Sequence, residues 1–298
     1  MTGNSHDRGG SPSDDGPVNA SRSWSSGNWT VLPRAFFDRP VLSVAPALLG
    51  CVLVHETQDG LVAVMLAEVE AYRGESDPAS HAFRGKTTRN AVMYGEPGHA
   101  YVYFTYGMHF CVNLVCQSAG EAAAVLLRAG RVVEGADLAA ARRTTGSGAR
   151  ERIASSGSRE RIARSGSGVR QVAERELARG PARLCQALGI GRVQNGADVC
   201  DPRGPLRVLA PAGFTGLPAA SVSAGPRVGI RLGAEADWRY WVAGDPAVSA
   251  YRPHVPRRRA AAVNARGAAV NARGAAVDAR GARGARGAVD EGGAAVLP

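Results

Sequence analysis

The chain has 298 residues, of which 45% are hydrophobic, so it is long enough for one large domain or two small ones with a sizeable core. Its longest apolar stretch, Val41 to Val54, contains proline and glycine and is too short for a membrane span, and the N-terminus has no apolar signal segment; we expect a cytoplasmic protein. The net charge of +10 invites a nucleic-acid partner, but it comes from two segments, 142–175 and 252–298, each with nine arginines against three acidic residues.

The five cysteines exclude two common kinds of site. Their number is odd and no pair has the CxxC spacing, so we expect neither a disulfide framework nor a zinc site, and we expect no metal. The thiols are predicted to be reduced and mostly buried.

The globular pattern starts near Trp29, after a Gly/Ser-rich segment, residues 1–28, that we expect to be disordered. The first clear element is Leu61 to Tyr72, whose alternation predicts a strand. Its even-numbered residues are apolar at first and end in two carboxylates and a phenol. We therefore expect one face of this strand to leave the core and enter a cleft; the residues on that face are Val62, Val64, Leu66, Glu68, Glu70 and Tyr72.

Residues 99–117 hold two aromatic, β-rich runs around a turn at Thr105 to Met108, where Gly107 can adopt a positive φ. This pattern predicts a protruding β-hairpin with Tyr106 at its exposed tip. Another buried strand is predicted over Ala122 to Ala129, with the charged Arg128 at its end.

The second half of the chain begins with a low-complexity insertion, residues 144–170, that repeats RERIA and is expected to be solvated and partly helical at best. Residues 171–190 predict helix, restarted at Pro181 and ended by Gly189. Strands are predicted over Arg227 to Ile230 and Trp238 to Val242. The domain ends near residue 254, and the Ala/Arg/Gly repeats of residues 255–298 predict a disordered tail.

These elements bring together residues suited to hydrolysis of an N-glycosidic bond. Glu70 is a candidate for the carboxylate that deprotonates water, and Tyr72, His81 and Tyr103 are candidates for the walls of a base pocket. Tyr106 is a candidate to fill the gap that an extruded base leaves. Taken singly, Glu70 could equally be a salt-bridged carboxylate, the other rings core residues, and Arg128 a surface ion-pair partner.

Six ordered motifs resemble the alkyladenine (3-methylpurine) DNA glycosylases, and the likeness covers about residues 33–143 and 177–252. The motifs are FFDRPVLSVAPALLG (36–50), AEVEAYRGESDPASHAFRGKTTRN (67–90), YVYFTYGMHFCVN (101–113), VLLRAG (125–130), GPARLCQALGI (180–190) and PRVGI (226–230).

The resemblance implies a role for each matching residue. Glu70 would be the general base, with Arg128 holding the water and the carboxylate, and Asn113 would screen purine substituents at the pocket wall. Tyr72 and Tyr103 would stack on the flipped base, His81 would contact the base and its backbone, and Tyr106 would wedge into the duplex.

The resemblance also implies a fold and a function. The fold is α+β, a single mixed domain with a curved, largely antiparallel sheet, flanking helices and a protruding β-hairpin. The function is excision of alkylated or deaminated purines from double-stranded DNA during base-excision repair, without metal or cofactor. We accordingly expect a monomer associated with the nucleoid.

Three alternatives remain at this stage. A lyase would need an amine, and Lys86 is the only lysine; with Arg89 it lies in a basic stretch better suited to contact DNA phosphates, so we expect a monofunctional hydrolase. A sugar-directed glycoside hydrolase would use Glu68 and Glu70 as a pair. A non-catalytic nucleic-acid binding module of related fold would use neither.

Overall fold

A computed structural model describes residues 28–105, 107–153 and 172–254, with side chains of helix α3 described as far as Thr144. Tyr106, most of the N-terminal segment, the insertion beyond Ile153 and the tail from Val255 lie outside the described residues. The nine described strands are β1 (Trp29–Val31), β2 (Val52–Thr57), β3 (Gly60–Tyr72), β4 (Ala100–Thr105), β5 (His109–Cys116), β6 (Ala123–Glu134), β7 (Leu206–Pro211), β8 (Val222–Gly225) and β9 (Arg239–Val242).

The described helices are short except for one. They are α1 (Arg34–Phe37), α2 (Val41–Ala47), α3 (Ala136–Ile153), α4 (Glu174–Leu177) and α5 (Pro181–Leu188), and four single 3₁₀ turns occupy Gly74–Ser76, Ala91–Tyr94, Arg192–Gln194 and Ala219–Ser221. Helix α3 carries the chain into the insertion as far as Ile153. None of these helices is both long and apolar enough to cross a membrane.

All nine strands join one open sheet in which every pairing is antiparallel. The order is β1-β7-β2-β3-β6-β5-β4, and β9 pairs with β3 and with β8. Strand β3 is the centre of the sheet, because β6 lies along one of its edges while β2 and then β9 share the other. The predicted α+β class with a largely antiparallel sheet is confirmed.

The main hydrophobic core lies on one face of the sheet, beneath α2 and α5. Alternate residues of β4, β5 and β6 point into it, and helix α5 is amphipathic, with its buried stripe beginning at Leu184. The opposite face of the same strands carries polar and aromatic side chains. The core residues of these strands are Ala100, Val102, Val112, Leu114, Cys116, Ala123, Val125 and Leu127.

A bulge in β3 decides which face its carboxylates occupy. Leu66 pairs with Gly130 and Glu68 pairs with Ala129, so Ala67 is an extra residue in β3. Before the bulge the core residues are even-numbered, Leu66 among them; after it they are odd-numbered, Val69 and Ala71. The prediction that Val62 to Tyr72 share one face is therefore wrong, because one inserted residue exchanges the two faces. Glu68, Glu70 and Tyr72 lie opposite the main core.

Most other predicted elements are confirmed. The hairpin turn closes with a hydrogen bond from the Met108 amide to the Thr105 carbonyl at 3.0 Å, and Gly107 has φ +65°. Gly189 ends α5 in the left-handed conformation. The predicted strand over Arg227 to Ile230 is wrong: the segment is a bend that follows β8.

Candidate active site

A cavity of about 380 Å³ opens on the face opposite the main core, a volume within the range of small-molecule sites. Strands β3, β4, β5 and β6 form its floor, and the start of α5 and the bend after β8 close its sides. Its lining residues include the four predicted pocket residues together with Glu70 and Arg128: Glu70, Tyr72, His81, Tyr103, Asn113 and Arg128.

The floor of the cavity is a row of side chains across four strands. Tyr101 pairs with Asn113, Asn113 pairs with Leu126, and Leu126 pairs with Glu70. Residues in register on neighbouring strands point to the same face, so the sheet itself sets the spacing between the aromatic wall and the carboxylate. Three motifs that are distant in the sequence are joined in this way.

Glu70 lies at the inner end of this row, and its side chain is fully buried. Its Oε1 accepts a hydrogen bond from the Val228 amide at 2.7 Å and lies 3.2 Å from Nη1 of Arg128. Its Oε2 accepts a hydrogen bond from the Tyr72 hydroxyl at 2.8 Å. A carboxylate oxygen has two lone pairs, so Oε2 retains the capacity to accept a further bond. Glu70 is among the residues that line the cavity.

Arg128 bridges the two glutamates of β3. Its Nε donates to Oε1 of Glu68 at 2.7 Å while Nη1 faces Glu70. Burial disfavours its charge, but the carboxylates of Glu70 and Glu68 outweigh that effect and raise the pKa of Arg128. The prediction placed Arg128 at a strand end; β6 instead continues to Glu134.

Glu68 accepts four hydrogen bonds from protein donors. Its oxygens accept bonds from Arg128, from Nε of Arg239 at 2.8 Å, and from the hydroxyl and amide of Ser249 at 2.8 and 2.7 Å. Burial would raise its pKa, but Arg128, the Ser249 amide and Arg239 hold that pKa below the ordinary value. Glu68 does not line the cavity. This geometry disfavours the paired-carboxylate glycoside hydrolase, which needs both carboxyl groups at the bond that breaks.

Tyr72 and the bend after β8 are held by a buried ion pair. Arg227 donates two hydrogen bonds to Asp77, Nη1 to Oδ2 at 2.5 Å and Nη2 to Oδ1 at 2.9 Å, and both side chains are fully buried. The guanidinium lies 4.7 Å from the centre of the Tyr72 ring. Burial and the neighbouring Glu70 raise the pKa of Tyr72 well above its ordinary value, so its hydroxyl remains a donor.

Three aromatic rings form the wall of the cavity away from Glu70. Tyr101 and Tyr103 stack with ring centres 5.6 Å apart, and His81 meets Tyr103 edge-on at 4.5 Å. His81 Nδ1 lies 3.1 Å from the Tyr101 hydroxyl. Partial burial of the ring, followed by the charge of Arg89, lowers the pKa of His81 and favours the neutral imidazole. The wall carries no net charge.

Asn113 is buried in the floor and donates from Nδ2 to the Tyr101 carbonyl at 3.1 Å. This bond fixes the amide plane, so the side chain presents a set pattern of polar atoms to whatever occupies the cavity. Lys86 and Arg89 are exposed; Lys86 lies over the Tyr94 ring at 5.6 Å, and Arg89 lies 5.9 Å from the Tyr103 ring. Tyr106 lies outside the described residues.

The sequence analysis missed the residues that position the site. Val228, Arg227, Asp77, Arg239 and Ser249 hold the two glutamates or their partners, yet none was given a role, although four of them lie in a quoted motif or a predicted strand. The available signal was an arginine inside an apolar motif, since a buried arginine requires an acidic partner. Within the described ranges, no group of three or more His, Cys, Asp or Glu side chains could hold a metal ion.

Comparison with known proteins adds an independent observation. A profile of the methylpurine-DNA glycosylase family matches residues 35–246. A Streptomyces avermitilis protein named "putative 3-methyladenine DNA glycosylase" is 50% identical over 232 residues, which cover 77% of this chain and 96% of the relative. Proteins of the same name from Leifsonia xyli subsp. xyli and Methanocella arvoryzae are 49% and 41% identical, covering 74% and 75% of this chain and 92% and 98% of the relatives.

Proposed function

The chain belongs to the methylpurine-DNA glycosylase family, and from that premise we propose that it excises 3-methyladenine-type purines from duplex DNA by flipping the damaged nucleotide into the cavity. It is a DNA-3-methyladenine glycosylase, a hydrolase that acts on N-glycosyl bonds in base-excision repair. The observation that carries the mechanism is Glu70, a buried carboxylate that faces a cavity with aromatic walls.

Glu70 is the general base of this mechanism. A water molecule in the cavity donates a hydrogen bond to Oε2, and its oxygen attacks the anomeric carbon of the flipped nucleotide. The C–O bond forms as the C–N glycosidic bond breaks, the bonding electrons leave with the base, and the proton of the water passes to Glu70. Arg128 and the Val228 amide hold Oε1 so that Oε2 is directed at the water.

The aromatic wall suits a methylated purine that carries a positive charge. Neutral rings of His81, Tyr101 and Tyr103 attract a cation without the cost of a like charge, an attraction of about 0.5–2 kcal/mol. A cationic base becomes neutral when it accepts the bonding electrons, so its departure needs no general acid. A single ionised carboxylate is then sufficient, which is consistent with the absence of Glu68 from the lining of the cavity.

Access to the base requires contacts at the mouth of the cavity. Tyr106 lies between the described Thr105 and the exposed Gly107 and Met108, at the end of the hairpin that forms one wall. We assign Tyr106 to the gap left in the stack, and Lys86 and Arg89 to phosphates around the flipped nucleotide. Residues 29–254 constitute the glycosylase domain, acting as a monomer, with the segments 144–170 and 255–298 as accessories.

The test of the chemical step is base release from duplex oligonucleotides that each carry one damaged purine. Glu70→Gln keeps the size of the side chain and removes the base, so single-turnover release should fall by about 10²- to 10⁴-fold while the affinity for damaged DNA is retained. Glu176→Gln, a surface carboxylate paired with Arg179, is the matched control. Release at the wild-type rate by Glu70→Gln would show that another group activates the water.

The same assay tests the wedge. Tyr106→Ala should slow release from duplex DNA and leave release from single strands nearly unchanged, because only the duplex closes over the gap. Tyr251→Ala removes another exposed tyrosine, far along the chain from the hairpin, and should have no effect. Equal activity of Tyr106→Ala and wild type on duplexes would remove the wedge role.

A further inference from the structure

A second cavity, of about 370 Å³, lies on the other side of Tyr103 from the substrate cavity. Tyr103 lines both cavities, so the two adjoin at this residue. The second cavity is bounded by β4 and by the turn at Arg192 to Asn195; its lining residues are Thr88, Arg89, Val102, Tyr103, Phe104, Phe110, Arg192 and Asn195.

The backbone edge of β4 explains why this cavity exists. Strand β4 is last in the sheet order, so one of its edges has no strand partner. A loop covers the first half of that edge: Ala100 exchanges hydrogen bonds with Gly196 and Ala197, and the Val102 amide donates to Oδ1 of Asn195 at 2.9 Å. The loop then leaves the strand. By the period of two, the Phe104 amide and carbonyl point from the same edge into the uncovered space.

The charge around this uncovered edge is positive. Arg89 and Arg192 are exposed on its two sides, and none of the eight lining residues, all of them described, is acidic. Arg89 is tethered by a hydrogen bond from Nη2 to the Phe104 carbonyl at 3.4 Å. Two guanidinium groups and an outward backbone amide are the donor types that bind a phosphate.

The apolar part of the cavity suits a sugar rather than water. Phe104 is 41% exposed, and its ring lies 4.9 Å from that of Phe110. Phe110 packs in part against the main core, while the exposed Phe104 ring provides a surface against which a deoxyribose can pack. A charged rim around an apolar floor matches the alternation of phosphate and sugar along a DNA strand.

We propose that this second cavity binds a phosphodiester of the DNA strand that adjoins the flipped nucleotide, with Arg89 and Arg192 as its two cationic contacts. The inference rests on the proposed function. It adds a path for the DNA strand to that function: the strand that carries the flipped nucleotide would run from the substrate cavity, past Tyr103, over the uncovered edge of β4. The cavity thereby registers the strand relative to Glu70 without reading its sequence.

The test measures the affinity of the full chain for a duplex that contains a stable abasic analogue, at salt concentrations between about 50 and 200 mM. Arg192→Gln and Arg89→Gln should each weaken binding and reduce the slope of log Kd against log salt by about 0.9, the value for one lost phosphate contact. Arg203→Gln removes the same charge from an exposed position before β7, at the other end of the sheet order, and should keep the wild-type slope.

A second arm identifies the phosphate. Neutral methylphosphonate linkages are placed one at a time on either side of the analogue. One linkage should weaken binding by wild type, weaken binding by Arg192→Gln to a smaller extent, and have no further effect on the double variant Arg89→Gln/Arg192→Gln, because only the double variant has lost both contacts to that phosphate. An unchanged salt slope for Arg192→Gln, or a scan in which every linkage affects all three proteins equally, would overturn the proposal.

Base release separates this inference from the proposed function. Arg203→Gln, which lines neither cavity, should release base from saturating duplex at the wild-type single-turnover rate, because it removes a charge and leaves both proposed contacts in place. Wild-type protein that binds DNA and releases no base would refute the proposed function, while the two affinity measurements would still decide whether the cavity holds a phosphodiester.

Discussion

At the scale of single residues, the candidate site divides into groups that face the cavity and groups that hold them. Glu70, Tyr72 and His81 face the cavity, and the chemistry of their side chains made them predictable from short motifs. Arg239 and Ser249 act on Glu68, which in turn holds Arg128. Sequence patterns could not supply these partners, because the contacts join positions up to 181 residues apart.

The buried pair of Asp77 and Arg227 should be the most sensitive of the holding contacts. Asp77→Asn leaves the Arg227 guanidinium buried without a counter-charge, so the free energy of unfolding should fall by about 3–5 kcal/mol in urea titrations. The bend that carries Val228 should loosen, and base release should slow. Glu176→Gln breaks a half-exposed pair and should cost less than about 1 kcal/mol; equal losses from the two substitutions would contradict this assignment.

His55 should make the protein less stable as the pH falls. Burial, followed by the charge of Arg142, lowers its pKa below 6.5, and its Nδ1–H donates to the Leu188 carbonyl at 2.8 Å. As the pH falls, His55 of the unfolded chain therefore binds a proton at a higher pH than His55 of the folded chain does. The free energy of unfolding should therefore decline as the pH is lowered below 6.5, by at most about 1.4 kcal/mol per pH unit for this group.

A substitution isolates that contribution. His55→Asn places an amide donor near the position of Nδ1 and does not titrate, so the pH dependence of stability between pH 7.5 and 5 should become flatter, although His81 retains a shift of the same sign. Denaturant titrations at several pH values measure it. A slope as steep as that of wild type would show that His55 is not the group responsible.

At the scale of elements, β3 shows why a sequence pattern can identify a strand and still misplace its side chains. Alternation predicted the extent of β3 to within one residue, and the same argument assumed an uninterrupted period of two. The bulge at Ala67 breaks that period, and nothing in the apolar pattern marks it. The hairpin of β4 and β5 was predictable because its turn carries its own signal in Gly107.

The bulge depends on a close approach of β6 at Gly130. A Cβ at this position would lie 2.2 Å from the Met65 carbonyl oxygen and 2.6 Å from Cγ1 of Val64, so one strand must move. Gly130→Ala should lower the free energy of unfolding by about 1–3 kcal/mol and disturb Glu68, which follows the bulge. Gly191→Ala, where the nearest atom lies at 3.9 Å, should be nearly neutral in the same urea titration.

At the scale of the whole molecule, the position of the single lysine bears on whether the protein also cleaves the DNA strand. Lys86 is the only lysine; it is exposed and does not line the substrate cavity. A lyase forms a Schiff base through an amine at the sugar. We expect borohydride to trap no protein–DNA adduct and the product strand to remain intact at its abasic site until alkali is added.

Lys86→Met provides the control for that prediction. The variant should still release base from saturating duplex, with weaker affinity for DNA, because Lys86 is assigned to a phosphate and does not line the cavity. An adduct that forms with wild type and disappears in Lys86→Met would identify Lys86 as a nucleophile. An adduct that persists in the variant would point to another amine, and either result would end the monofunctional assignment.

The carboxylate of Glu70, the proposed base, and that of its neighbour Glu68 both accept hydrogen bonds from the last part of the domain. The Val228 amide reaches Glu70 across 158 residues, and Ser249 reaches Glu68 across 181. A ribosome therefore makes the stretch from Glu70 to Arg128 well before it makes the donors that contact Glu70 and its neighbour. If Glu70 is the base, we expect hydrolytic competence to arise only at the end of translation of this domain, and a message truncated ahead of codon 228 to yield a protein in which Glu70 lacks its Val228 donor.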